Sequence, residues 1–186
     1  MLAARTSAPL PTVQFTSLLY DRTKDVLWAS TCDAGLLKLR VAPDSVRVLR
    51  QFAHHSPPGQ RLQVNYTWPL FFDRQGTLWI GTIGGGLHQL VTDARGRETV
   101  RSYQQWLPES DAESLLADDD GNLWVGGTGL YRLRPGTRQY LRYDVADGLQ
   151  SSAFEVGAAS LHLLDGRAQC LGRVFTYATT PDNRTG

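Results

Sequence analysis

Phe72-Asp73-Arg74-Gln75-Gly76-Thr77-Leu78-Trp79-Ile80-Gly81-Thr82, closed by Gly85-Gly86-Leu87-His88-Gln89-Leu90, is the stretch that decides the fold. Asp-x-x-Gly between apolar runs is hairpin chemistry. The Asp side chain bonds forward to the turn backbone, and Gly takes the left-handed conformation without a Cβ clash. Leu-Trp-Ile-Gly then reads as a strand buried on both faces, with Leu78 and Ile80 on one side and Trp79 and Gly81 on the other. A small residue beside the indole leaves room for a large ring from the neighbouring layer. The glycines at 84–86 turn the chain again, and Gly-Leu-x-x-Leu begins a third strand.

Two further copies flank this one. Asp118-Asp119-Asp120-Gly121-Asn122-Leu123-Trp124-Val125-Gly126 leads to Gly129-Leu130-Tyr131-Arg132-Leu133. The first copy is looser: Asp21-Arg22-Thr23-Lys24-Asp25-Val26-Leu27-Trp28-Ala29 leads to Gly35-Leu36-Leu37-Lys38-Leu39, with Lys24 or Asp25 near the turn glycine's place and Ala29 near the second glycine's. A fourth strand follows each copy, at residues 46–52, 99–103 and 139–143. Trp28, Trp79 and Trp124 are 51 and 45 residues apart. Four short strands per unit, at a period near 45, is the signature of β-propeller blades. A blade has two apolar faces and buries them only by stacking on its neighbours. The repeated Trp residues are therefore core packing first, since a residue present in every unit serves the architecture.

The chain is thus expected to be all-β, a partial β-propeller of about three to four four-stranded antiparallel blades. The propeller region spans 15–166. Its blades fall near 15–66, 67–110 and 111–150, with a degenerate fourth at 151–175. A poorly ordered start, 1–14, and an irregular tail, 176–186, flank them.

Composition agrees. Of 186 residues, five are Trp, seven Tyr and eighteen Gly, a mixture suited to strands and tight turns. The net charge of +1 is interspersed, so nothing suggests a nucleic-acid partner. No run approaches the length of a membrane span, and the first residues make a poor secretory signal. Cys32 and Cys170 stand in no metal-binding spacing and read as buried thiols, with a long-range disulfide left open.

The repeated pattern, carried by residues 73–90 and 118–133, resembles the two-component regulator propeller repeat. Tyr143-Asp144-Val145-Ala146-Asp147-Gly148-Leu149-Gln150-Ser151-Ser152-Ala153-Phe154 looks like the segment leading into the last blade of such sensors. The resemblance implies a ligand-sensing, periplasmic part of a sensor kinase or related membrane regulator, with no catalytic role. Its partners would be a small-molecule ligand, a saccharide-like one among the candidates, and the remaining blades of a parent protein or a second chain. Two departures stand out. After Asp165-Gly166 the aromatic strand position is Gln169 and the double-glycine turn is missing. Three and a half blades also cannot close a ring, so a fragment is expected. The alternatives are a propeller-based interaction scaffold and, further off, a metal-dependent propeller lyase.

Individual residues point to no catalytic, cofactor or metal site. His54 and His55 read as a solvated inter-blade loop. His88 occupies a variable, partly exposed strand position, and His162 is a strand histidine. The glycines at 84–86 lack the Lys and helix of a phosphate loop. Asp118-Asp119-Asp120-Gly121 lacks the later ligands of a calcium loop and reads as a turn. A sialidase-type Asp box fits Asp119, Gly121 and Trp124 once and does not repeat. The ligand site is unknown from sequence. Its candidates are the variable loops 104–113, with Trp106, and 61–68.

Overall fold

A computed structural model describes residues 12–137 and 139–149 and, as backbone, 159–164 and 167–172. Strands β1 (Phe15–Asp21), β2 (Val26–Thr31), β3 (Leu36–Ala42) and β4 (Ser45–Phe52) form one antiparallel sheet in sequence order. Strands β5 (Thr67–Phe72), β6 (Leu78–Thr82), β7 (Gly86–Thr92) and β8 (Glu98–Ser102) form a second. Strands β9 (Ser114–Ala117), β10 (Leu123–Gly126), β11 (Leu130–Leu133) and β12 (Tyr140–Tyr143) form a third. Strands β13 (Ala159–Leu164) and β14 (Arg167–Gly172) pair as a hairpin. First strands neighbour one another: β1 lies against β5, β5 against β9, and β9 against β13. The sheets therefore stand radially, as blades, with their first strands innermost. No helix among the described residues is long and apolar enough to cross a membrane.

The turn Asp does more than turn the chain. Asp73 Oδ1 accepts from the Gln75 and Thr77 amides at 3.0 and 2.8 Å, and its Oδ2 accepts from Trp79 Nε1 at 2.9 Å. Asp118 repeats this, accepting from the Asn122 amide at 2.8 Å and from Trp124 Nε1 at 2.9 Å. One carboxylate thus ties the hairpin to the indole of the next strand. The first blade has one more residue in its turn, and Asp25 takes the left-handed place at φ 52° that Gly76 fills at φ 76°. The extra residue draws Asp21 away, so its carboxylate serves Thr23 and Lys24. Trp28 Nε1 is left buried without a partner. That is the physical content of the looser first copy.

Each Trp flank leans on the aliphatic flank of the next blade. Trp28, Leu36 and Phe52 pack with Leu78, Ile80 and Leu90, and Trp79, Leu87 and Tyr103 pack with Leu115, Leu123, Val125 and Leu133. Trp28 and Trp79 are fully buried, whereas Trp124, on the last flank of the third blade, is half-buried. At Gly81 the space beside the indole is not taken by a large ring. An added Cβ would meet the Ala112 carbonyl oxygen at 2.3 Å and the Pro69 ring at 2.4 Å, so the small residue admits backbone and a proline. Glu98, 5% exposed, locks the first two blades by pairing with Lys38 and Arg50. These cations lie over Trp28 and Phe52, which shields the pairs from water and so weakens screening. On the opposite flank of blade one, Leu18 and Tyr20 are 60% and 51% exposed.

His88 corrects the sequence reading. It is not partly exposed; it is fully buried. It pairs with Ile80 and Ser102 across β6 and β8, inside a sheet covered on both faces. Its Nε2 accepts from the Gln63 amide at 3.2 Å, and its Nδ1 has no hydrogen-bond partner. Burial lowers its pKa to about 4; the Gly86 carbonyl opposes this weakly without bonding to the ring. The unfolded chain therefore takes up the proton first as pH falls. Stability is full above the ordinary histidine range and is lost from about pH 6.5 down to about 4. Urea melts at pH 7 and pH 5 should differ by about 2 kcal/mol through this group. His88→Leu, which copies Leu37 of the first blade, should flatten that slope.

Candidate functional site at the inner strand ends

The loops that carry the chain from β4 to β5 and from β8 to β9 cross the same end of the blades as the β2–β3, β6–β7 and β10–β11 turns. Each loop is pinned to those turns. The Gly35 amide donates to the Asn65 carbonyl at 3.0 Å, and Thr67 Oγ1 donates to the Thr31 and Gly35 carbonyls at 3.2 and 3.0 Å. One blade on, the Gly86 amide donates to the Ser110 carbonyl at 2.7 Å, the Ala112 amide to the Thr82 carbonyl at 3.0 Å, and the Gly84 amide to Asp111 Oδ1 at 2.7 Å. Glu109, 2% exposed, completes the second latch. Its Oε2 accepts from the Thr128 amide and hydroxyl, both at 2.9 Å, and its Oε1 from the Asp111 amide at 3.0 Å.

Most of the two candidate loops is therefore taken up in joining blades. Leu62 and Leu107 are fully buried. Trp106 stands edge-on to Tyr103, centroids 5.2 Å apart, and packs against the core between the second and third blades. What the loops leave facing the innermost strands is their last turn. Tyr66 and Trp68 form a tilted pair, with centroids 5.9 Å apart at 44°; Tyr66 is 36% exposed and Trp68 half-buried. A cavity of about 240 Å³ opens beside Trp68 between β1, β5 and β9, lined by Thr16, Ser17, Trp68, Pro69, Leu70, Ser114 and Leu115.

Backbone irregularity sets this opening. The β5–β6 ladder shifts register between Thr67 and Leu70, which takes Trp68 and Pro69 out of the pairing, and β1 shifts likewise between Phe15 and Ser17. Bulges re-aim side chains in this way. Aligned on the turn Asp, the position of Trp68 is Thr16 in the first blade and Glu113 in the third. Of the five Trp, Trp68 thus stands outside the repeated pattern and off the blade-to-blade cores. Burial raises the Tyr66 phenol above its ordinary range, with Cys32 and Glu113 adding to it. Cys32 is a free thiol that donates to Gln14 Oε1 at 3.7 Å.

The remaining sequence candidates stay apart from this opening. His54 and His55 are exposed in the β4–β5 loop. The residues around Gly84 and Asp118 form turns. His162 and Cys170 fall on β13 and β14, where side chains lie outside the described residues, as do the tail and the segment 150–158. No group of three or more His, Cys, Asp or Glu among the described residues is placed to hold a metal ion. Sequence reasoning enclosed Trp68 and Tyr66 within loop 61–68 without singling them out, and passed over Thr16, Ser17 and Ser114. The signal was available: an aromatic just before an inner strand, where the other copies carry small or charged residues.

Residues 62–84 and 107–129 match the family described as two component regulator propeller. Both stretches run from the buried leucine of a latch loop, through the two inner strands, to the turn beyond. No curated protein matches the chain significantly. Among solved structures, the extracellular domain of BT4673 from B. thetaiotaomicron matches at 21% identity over 69% of this chain. The TM-scores are 0.52 and 0.53 for two structures, described respectively as a one component and a hybrid two component system. The likeness shows a shared fold. This chain spans 18% of the length of those chains.

Proposed function

From its two component regulator propeller repeats, we propose that the chain is a ligand-sensing propeller segment of a bacterial two-component sensor. It works on the periplasmic side of the membrane as part of a longer sensor. The observation that carries this reading is the division of labour at the inner strand ends. Latches fix the loops, and an opening lined by side chains of three blades is left over. A ligand seated there touches β1, β5 and β9 at once. It therefore favours one relative arrangement of the blades over others, and such differential binding shifts a signalling equilibrium. The exposed flank of blade one, with Leu18 and Tyr20, is the counterpart of flanks that blades two and three cover with a preceding Trp-bearing face. Another blade of the sensor is its natural cover.

Thermal melts of the purified chain against a small-molecule library test the sensing role. A cognate ligand at one hundred times its Kd should add about 2.7 kcal/mol, raising Tm by about 5 °C or more. Partner capture with no small-molecule shift would favour an interaction scaffold instead.

A further inference from the structure

We infer that the joint between the first and second blades is a hinge: blade one swings there as an intact sheet, while blades two and three move as one body. The motion needs no ligand, so it goes beyond the sensing reading. Among the described residues, three buried side-chain polar atoms have no hydrogen-bond partner: Trp28 Nε1, Ser30 Oγ and His88 Nδ1. All three residues face this one joint. Trp28 packs against Leu78, Ile80 and Leu90 of the second blade. Ser30 lies two residues further along β2 and shares that face. His88 pairs with Ile80, which puts it on the side of its sheet that meets Trp28, and its Nε2 accepts from the loop arriving from blade one. The buried Glu98 carboxylate, with Lys38 and Arg50, crosses the same joint.

The next joint has the same architecture without these orphans. Trp79 Nε1 donates to Asp73, and Gly81, the counterpart of Ser30, has no side chain to satisfy. Tyr131, the counterpart of His88, leaves no buried atom unpartnered. Glu109 ties the linking loop to blade three through Thr128, whereas Val64 stands at its place in the loop before blade two. A donor or acceptor buried without a partner has lost its hydration and gained nothing in exchange. Opening the joint returns water to it, so each orphan lowers the cost of opening. The orphans are side chains between sheets, and the backbone ladders on either side stay whole. Opening of this kind leaves folded units that move against each other. Here it changes the gap between β1 and β5, where the cavity beside Trp68 lies.

Native-state hydrogen exchange of the unliganded chain at neutral pH tests this, read at matched amides that bond across the joints. Thr31 and Gly35 donate to Thr67 Oγ1 and the Asn65 carbonyl at the first joint. Ala112 and Gly86 donate to the Thr82 and Ser110 carbonyls at the second. Corrected for intrinsic rates, Thr31 and Gly35 should exchange at least tenfold faster than Ala112 and Gly86. The β2–β3 ladder amides should stay protected, as those of β6–β7 do. Ser30→Ala and His88→Leu each remove one orphan and keep most of the volume. The amide of Gln63, freed by the second change, belongs to an exposed residue and takes water. Each variant should slow exchange at Thr31 and Gly35 at least threefold and leave Ala112 and Gly86 as they were. Equal exchange at both joints in the parent chain overturns the hinge, whether or not the variants fold. Loss of β2–β3 protection together with Gly35 overturns it too, since blade one would then unfold rather than swing. Variants that slow both joints alike also contradict it. None of these outcomes alters the ligand-dependent shift in Tm by which the sensing role is judged.

Discussion

Trp79→Ala is expected to destabilise the chain by about 3–5 kcal/mol, the largest loss of any single core substitution considered. The indole is fully buried. It meets Tyr103 with centroids 5.2 Å apart and shares a cluster with Leu115, Leu123 and Val125 of the next blade. Truncation therefore opens a cavity at a joint between two sheets, where neither can close the gap without breaking its own ladder. It also strands the Asp73 carboxylate, whose Oδ2 accepts the indole N–H. Trp79→Phe separates the two losses, since it keeps most of the volume and removes the hydrogen bond. Equilibrium urea unfolding at neutral pH reads both.

Gly127→Ala comes next, at about 3 kcal/mol. An added Cβ would lie 1.9 Å from the Asp111 carbonyl oxygen and 2.8 Å from the Glu109 carboxyl carbon. One is backbone of the latch loop and the other a buried side chain that holds three hydrogen bonds. Neither can retreat alone, so the β8–β9 loop must lift from the third blade. Gly96→Ala is the control. Its φ is +75°, but nothing lies within 4 Å of the added carbon, so it carries only left-handed strain of about 1 kcal/mol. If both variants melt alike, the contact of residue 127 with the latch loop costs no more than the left-handed strain at Gly96.

The blades were legible because their physics is local. Asp73, Gly76 and the alternation from Leu78 to Gly81 specify a hairpin and a two-faced strand within ten residues, and the same grammar recurs at Asp118. The extra turn residue at Asp25 was visible too, although its consequence, an unpartnered Trp28 indole, depends on where the Asp21 carboxylate points. What sequence did not show lies between blades. Glu109 looks like any loop acid until Thr128, nineteen residues away, turns both its donors toward it. His88 fills the same slot as Leu37 and Tyr131. All three are buried, because a middle strand of a stacked blade has no open face. Trp106 and Trp68 look equivalent as loop aromatics, yet one plugs a core and the other flanks an opening. That difference comes from the latches, which no single segment encodes.

Stacking of one blade's indole flank on the next underlies the opening at the inner strands and the proposed sensing role. A double-mutant cycle between Trp79→Ala and Leu123→Ala measures it directly, because these residues belong to different sheets and one shared core. A coupling of about 1 kcal/mol or more is expected. Additivity within about 0.3 kcal/mol would mean that the two sheets do not touch there, and the radial arrangement would be contradicted.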